Sequence, residues 1–122
     1  MNPLFKIVVA GGREFSDYEL LKVKMDNFIK AKSLTHEVII ISGTAKGADM
    51  LGETYADDRQ LNIMKFPAQW ELHGKSAGYK RNVHMSTVAD AVVVFWDGKS
   101  KGSKHMIDIS KAAGLPLRVI YY

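Results

Sequence analysis

Apolar residues gather in five short segments that alternate with stretches of helical periodicity. The segments lie at residues 5–10, 37–42, 62–66, 90–96 and 117–121. The second contains four apolar residues in a row, at positions 38–41, which suits a parallel strand that is covered on both faces. Because predicted strands alternate with predicted helices, the pattern indicates right-handed βαβ units. We therefore predict an α/β fold with a mainly parallel five-stranded sheet and helices on both faces.

Helices are predicted in the intervals between the strands, at residues 16–32, 47–59, 76–87 and 103–113. Ser16 and Glu19 have the spacing of a capping box, with Ser16 as the N-cap of the first helix. Residues that recur at helical spacing and should face the sheet are Leu21, Met25, Phe28 and Ile29. The stretch at 67–82 is expected to begin as a long irregular segment. Such segments in a compact domain are usually functional or disordered, and the aromatic and basic residues here argue against disorder.

Composition narrows the class of protein. With 122 residues, 47% of them hydrophobic and 25% charged, the chain is expected to form one globular domain over residues 1–122. We see no signal peptide and no apolar run near the roughly 20 residues that span a bilayer. The absence of cysteine excludes disulfides and thiol catalysis, and it favours a cytoplasmic protein. A net charge of +4 favours anionic ligands without establishing nucleic acid as a partner.

The turn at residues 42–49 is the first candidate for a binding site. It joins an apolar strand to a helix, and its candidate residues are Ser42, Gly43, Thr44, Lys46, Gly47 and Asp49. A helix start offers free N–H groups and a partial positive charge, and glycines let a phosphate approach the backbone. Lys46 would add a positive charge, while Asp49 would cap the helix or accept from a ribose hydroxyl. The alternative is a capped turn without a ligand, because short glycine motifs recur by chance.

Three further glycine-containing segments, at 11–13, 74–82 and 98–103, should reach the same edge of the sheet. In parallel α/β sheets, ligands bind at the carboxyl edge where the strand order reverses. The further residues expected at the ligand are Gly11, Gly12, Arg13, Trp70, Lys75, Arg81, Asn82, Gly98, Gly102 and Ser103, with Trp96 as an alternative to Trp70 for stacking on a base. Both GxGxxG and GxxxxGK[ST] are absent, which argues against a standard NAD site and a P-loop NTPase.

In this order, these turns resemble the SLOG superfamily, and above all its small YspA/YpsA-related bacterial and phage proteins. The resemblance rests on residues 8–13, 42–49, 80–82 with Met85, 89–96 and 98–103. It implies a single Rossmann-like domain that binds a nucleotide or nucleotide-derived ligand, often as a homodimer. Arg81 matches an Arg-Asn-x-x-Met helix start and should face the ligand. The superfamily's LOG-type phosphoribohydrolases carry PGGxGTxxE, and Met106 occupies the position of their catalytic Glu.

Three functions therefore remain open. The leading one is binding of a nucleotide-like small molecule, as in a ligand sensor. The second is hydrolysis of an N-glycosidic or phosphate bond, for which the candidate groups are Asp49, Asp97 and Asp108, with His73 or His105 for proton transfer. The third is binding of single-stranded nucleic acid, as in the DprA/Smf branch, through the basic and aromatic residues at 70–82. The sequence has no metal-site pattern and requires no cofactor, although a carboxylate could hold Mg²⁺ with a bound phosphate.

Overall fold

Strands and helices alternate along the chain, as the apolar pattern predicts. The computed structural model describes residues 2–122. The elements are β1 (Leu4–Gly11), α1 (Tyr18–Ile29), β2 (Glu37–Ser42), α2 (Ala48–Asp58), β3 (Asn62–Lys65), α3 (Trp70–His73), α4 (Ala77–Val88), β4 (Ala91–Trp96), α5 (Lys101–Ala112) and β5 (Leu117–Tyr121). Short 3₁₀ turns occur at Lys32–Leu34 and Gly74–Ser76.

All five strands pair in parallel, in the order β3-β2-β1-β4-β5. The chain builds outward from β1 to β3 and then crosses to the other side of β1 for β4 and β5. The strand order therefore reverses between β1 and β4, which is where open α/β sheets bind ligands. The predicted α/β, Rossmann-like fold with a parallel five-stranded sheet is confirmed.

The two faces of the sheet carry separate apolar cores, because successive side chains of a strand point to opposite faces. Val9 of β1 packs in the core that contains Leu21 and Met25 of α1. Val8 packs in the core on the other face, with Met85 of α4 and Met106 of α5. Helices thus cover both faces, and the predicted inward positions of α1 are confirmed, with Phe28 only partly buried.

The start of α1 corrects the predicted capping box. Asp17 is the N-cap, and its Oδ1 accepts a hydrogen bond from the Leu20 N–H at 3.0 Å. The prediction of Ser16 as N-cap was wrong because Asp17 is equally suited to capping, and its negative charge also interacts favourably with the helix N-terminus. The helix ends at Ile29 rather than near residue 32. A 3₁₀ turn at Lys32–Leu34 comes after it.

The segment before α4 is more regular than predicted. It contains the single helical turn α3 and a 3₁₀ turn, so the expected irregular stretch is interrupted.

α5 begins at Lys101, two positions before the predicted start, because Ser100 acts as its N-cap. Within residues 2–122, no helix is both long and apolar enough to cross a membrane.

Candidate functional site

A cavity of about 440 Å³ opens at the carboxyl edge of the sheet, at the reversal between β1 and β4. Its size falls in the range of small-molecule sites. Its wall is formed by the turns after β1 and β4, the segment from α3 into α4, and the start of α2. The sequence-predicted residues in this wall are Gly11, Gly12, Arg13, Asp49, Trp70, Lys75, Arg81, Asn82, Asp97, Gly102 and Ser103.

The turn after β1 lies tightly against its neighbours. The Gly12 N–H donates to the Phe95 carbonyl at 3.0 Å, which holds this turn beside the end of β4. A Cβ at Gly12 would lie 1.8 Å from the Tyr122 hydroxyl, so any larger residue would have to displace that exposed ring. The close approach leaves the Gly12 backbone and the exposed Arg13 at the cavity wall.

The turn at 42–49 packs against the first turn through Gly47. Gly47 has φ +81°, and a Cβ there would lie 2.2 Å from the Gly12 carbonyl oxygen. That carbonyl also accepts from the Ala48 N–H at 3.2 Å. Gly47 therefore brings the start of α2, with Asp49 in its first turn, up to the cavity.

Asp49 is a buried carboxylate in the cavity wall, with 4% of its surface exposed. Its Oδ2 accepts from the Ala45 N–H at 3.2 Å. Burial raises the pKa of Asp49 to about 6, although the nearby Arg81 charge and the Ala45 N–H act in the opposite direction. A carboxyl group whose proton equilibrium lies this close to neutrality is typical of functional sites.

Arg81 of α4 connects three parts of the site. Its Nη1 donates to the Gly43 carbonyl, and its Nε donates to Asn82 Oδ1 at 3.0 Å. Burial lowers the pKa of Arg81 while the Asp49 charge raises it, and a guanidinium remains protonated in proteins. The side chain is thus a fixed positive charge in the wall of the cavity.

The start of α5 presents a hydroxyl group without a partner. Ser103 is 5% exposed and lines the cavity, and its Oγ has no hydrogen-bond partner among residues 2–122. Buried polar groups are almost always hydrogen-bonded, because desolvating one without compensation is costly. The helix N-terminus adds a partial positive charge. The N–H groups of Ser103 and Lys104 already donate to Ser100, whereas those of Lys101 and Gly102 have no partner among residues 2–122.

The turn before α5 is held by Asp97. Its Oδ1 accepts from the N–H groups of Lys99 at 2.8 Å and Ser100 at 2.9 Å. These backbone donors, that of Ser100 first, hold the pKa of Asp97 below its ordinary value. From the other side, Asn82 Nδ2 donates to the Gly102 carbonyl at 3.3 Å. The orientation of the α5 N-terminus is therefore fixed from both sides.

Aromatic rings flank the cavity. Trp70, half exposed, and Tyr79 line it on the helical side, and Tyr122 lines it beside Gly12. Trp96 lies outside the wall, with its Nε1–H donating to the Ser100 carbonyl at 3.0 Å. Of the two tryptophans predicted for stacking, only Trp70 lines the cavity.

The structure places other predicted residues outside the cavity wall. They are Ser42, Gly43, Thr44, Lys46, Gly47, Gly98 and Asp108. Ser42 is buried and donates to Glu53 Oε2 at 2.7 Å, so its hydroxyl is directed into the protein rather than toward the cavity. Asp108 forms an exposed ion pair with Lys104 at 2.8 Å.

Neither histidine predicted for proton transfer lines this cavity within the described chain. His73 lines a neighbouring cavity. His105 lies against Tyr79, with the ring centroids 4.6 Å apart, and burial lowers its pKa. The histidines therefore lie beside the site and not in its wall.

Several wall residues were not predicted, namely Ala10, Glu14, Ala45, Gly78, Tyr79, Met85, Ser100, Met106 and Tyr122. Helical spacing from Lys75 and Asn82 would have indicated Gly78 and Tyr79. Tyr122 directly follows β5, so the rule that strand ends share an edge could have indicated it. In the described part of the chain, no three side chains of the metal-ligating types come together.

Comparison with known proteins agrees with the fold and the turns. The model of the YspA, cpYpsA-related SLOG family (YAcAr) matches residues 5–73. The chain is 35% identical over 86 residues to the Gene 61 protein of Mycobacterium phage D29, covering 66% of this chain and 69% of that protein.

A solved structure of DNA processing protein A from Helicobacter pylori, described for its single-stranded DNA binding mode, is similar with a TM-score of 0.67. The identity is 17%, and the match covers 94% of this chain but only 64% of that chain, so the likeness concerns the fold. The resemblance predicted from the turns is confirmed by the family match, which extends over more than half of the sequence. The chain therefore belongs to the YspA, cpYpsA-related SLOG family.

Proposed function

We propose that the protein binds a nucleotide or nucleotide-derived ligand in the cavity between β1 and β4, with a phosphate at the N-terminus of α5. The observation that carries this proposal is the buried, unpartnered Ser103 hydroxyl at the start of that helix. A phosphate oxygen would accept from this hydroxyl and from the N–H groups of Lys101 and Gly102, which have no partner among residues 2–122. The ligand would thus supply the missing hydrogen bond.

The remaining wall suits the other parts of a nucleotide. Arg81 would pair with the phosphate charge, and Arg13 at the turn after β1 would add a second guanidinium. The half-exposed Trp70 offers a face on which a base can stack. Asp49 would accept a hydrogen bond from a sugar hydroxyl. Each group of the ligand has a chemically matched neighbour in the wall.

Replacement of Ser103 tests the proposal. With AMP as the first probe, Ser103→Ala should lower the affinity about tenfold, the scale of one hydrogen bond to a charged group. Folding stability should remain unchanged or rise slightly, because the hydroxyl has no partner in the protein. The matched control is Ser110→Ala on the same helix, where the hydroxyl donates to the Met106 carbonyl at 2.7 Å.

The two serine variants are compared by calorimetric titration, with ADP-ribose, NAD and cyclic nucleotides as further probes. The control should leave the affinity unchanged. Equal affinities of the wild-type protein and Ser103→Ala for every ligand that binds would contradict the placement of the phosphate.

Binding of single-stranded nucleic acid is a second candidate. It is favoured by the fold that the chain shares with DNA processing protein A, which binds single-stranded DNA. Arg13, Lys75 and Arg81 supply positive charge around the cavity, and Trp70 supplies a stacking surface. The expected signature is steep salt dependence of oligonucleotide affinity. Absence of oligonucleotide binding at low salt would exclude this candidate.

Hydrolysis of the bound nucleotide is a third candidate, and Asp49 is the observation that favours it. A carboxyl group with a pKa raised to about 6 could exchange a proton near neutral pH. Met106, at the position of the LOG-type catalytic Glu, is buried and cannot replace that group chemically. Product formation that Asp49→Asn abolishes would support hydrolysis, and intact nucleotide after long incubation would exclude it.

We further propose that the protein is a cytoplasmic homo-oligomer that needs no cofactor. The lack of cysteine fits a reducing compartment. Exposed apolar side chains such as Val23 on α1 offer a surface for self-association. Light scattering at micromolar concentration tests the oligomer, and a monomeric mass would contradict it. Unchanged AMP affinity in the presence of EDTA is expected, and a large loss would indicate Mg²⁺ bound with the phosphate.

A further inference from the structure

We propose that a second cavity holds a second phosphate of the ligand, an inference that rests on the proposed nucleotide site. The cavity has a volume of about 450 Å³ and lies where β3 ends, beside the start of α4. Its basic residues are Lys65, His73, Lys80, Arg81 and His84. Within the described chain, no carboxylate lines it. Glu53, which lies outside this lining, pairs with Lys65, and the remaining excess of positive charge favours an anionic occupant.

The two cavities meet at Arg81, which lines both of them. Two of its three nitrogens already donate to protein, Nη1 to the Gly43 carbonyl and Nε to Asn82. Nη2 has no hydrogen-bond partner in the part of the chain that the structure describes. Because Arg81 borders both cavities, a ligand that occupies both would pass this guanidinium, and Nη2 is available to donate to it.

The two lysines of the second cavity differ in how far they are already neutralised. Lys65 lies 3.4 Å from Glu53 Oε1, and Ser42 also donates to this carboxylate, at Oε2. Lys80 contacts His73 Nδ1 at 3.3 Å and has no carboxylate within ion-pair distance among residues 2–122. Lys80 is thus the more available cation for a phosphate.

The occupant that this arrangement fits is a ligand with two phosphates linked through a nucleoside. Phe66 and Pro67 give the second cavity an apolar side, and the edge of His84 packs on Phe66 at 4.8 Å between ring centroids. A base or sugar can rest there while the phosphate meets Lys80. This chemistry occurs both in a free dinucleotide and in the backbone of a single strand.

The test compares ligands that have one and two phosphates. The probes are AMP, the 5′-phosphorylated dinucleotide pApA and a short oligodeoxyadenylate. In the variant Lys65→Gln/Lys80→Gln, the affinity for AMP should stay within about twofold, while that for pApA should fall at least about tenfold. The slope of log affinity against log salt should fall by about 1 per lysine removed.

The matched control is Lys30→Gln/Lys111→Gln, which removes the same charge at exposed positions outside both cavities. It should change neither affinity by more than about twofold, the weak effect expected of distant exposed charges. Equal losses of pApA affinity in the two double variants would mean that only the net charge matters, and would overturn the second site. Thermal denaturation of each variant confirms that the comparison concerns folded protein.

The outcomes separate the two proposals. Unchanged pApA affinity in Lys65→Gln/Lys80→Gln, with AMP still bound, overturns the second phosphate and leaves the nucleotide site intact. Failure of the wild-type protein to bind AMP, pApA and the oligonucleotide overturns both. A loss for pApA that the oligonucleotide does not share supports a free dinucleotide, and a loss for both probes supports a strand backbone.

Discussion

Asp49 makes a specific prediction about stability and pH. Its carboxyl group is 4% exposed, and burial raises its pKa from the ordinary 3.8 to about 6. Each pKa unit corresponds to about 1.4 kcal/mol, so keeping this group ionised in the folded state costs about 3 kcal/mol. An Asn at this position has nearly the same shape, and its amide oxygen can still accept from the Ala45 N–H.

The direction in which stability changes with pH follows from the direction of the pKa change. A group whose pKa is raised on folding binds its proton more tightly in the folded state. The stability that it contributes is therefore fully present below pH 3.8 and is lost as the pH rises through about 6. Asp49→Asn should consequently match the wild-type protein in stability near pH 4 and exceed it by up to about 3 kcal/mol at pH 8.

Urea denaturation at a series of pH values measures this difference. Subtracting the wild-type free energy of unfolding from that of Asp49→Asn cancels the other titrating groups. The control is Asp108→Asn, an exposed member of an ion pair with Lys104, whose effect should stay below about 1 kcal/mol. A difference for Asp49→Asn that does not grow with pH, or a variant less stable than wild type at pH 8, would refute the reasoning.

Further substitutions test the packing around the site. Gly47→Ala should destabilise the fold by more than about 2 kcal/mol in urea titrations, because the residue has φ +81° and the new Cβ would meet the Gly12 carbonyl at 2.2 Å; unchanged stability would contradict that contact. Gly12→Ala should displace Tyr122 and weaken AMP binding with a smaller loss of stability, measured by calorimetry and thermal melting. Removal of the ring in Gly12→Ala/Tyr122→Ala should restore part of the affinity, and failure to do so would argue against the clash. Asp26→Ala should lower the free energy of unfolding by about 1–3 kcal/mol in urea titrations. The hydroxyl of the fully buried Tyr55 donates to Asp26 at 2.6 Å and would lose its partner. A loss below about 0.5 kcal/mol would contradict this role.

The sheet could be predicted from the sequence because its strands carry strong local signals. The apolar run of β2 is bounded by a charged residue and a glycine turn, and the predicted limits coincide with Glu37–Ser42. The sequence also predicted that the turns meet at one edge of the sheet, because the carboxyl ends of parallel strands always share an edge. These features need no knowledge of which side chains touch.

The predictions that were wrong concern two kinds of residue. In one, neighbouring residues are equally suited to the same role; in the other, the side chain bonds to a segment that is distant in the sequence. Ser16 and Asp17 are adjacent and both suited to capping, so the pattern alone could not decide between them. Ser42 was expected at the ligand, but its hydroxyl bonds to Glu53, a pairing that becomes visible only when α2 is placed on β2. The unpartnered state of Ser103 is likewise a property of the packed structure and has no signature in the sequence.

The central claim is that a phosphate-bearing nucleotide binds at the N-terminus of α5, and backbone amide shifts test it most directly. The measurement is a nuclear magnetic resonance titration of ¹⁵N-labelled protein with AMP, repeated with inorganic phosphate. The account predicts saturable shifts that are largest at the amides of Lys101 and Gly102, whose N–H groups have no partner among residues 2–122, and at Ser103 beside them. Saturable shifts confined to residues away from the cavity between β1 and β4, or no shift with any nucleotide, would contradict it.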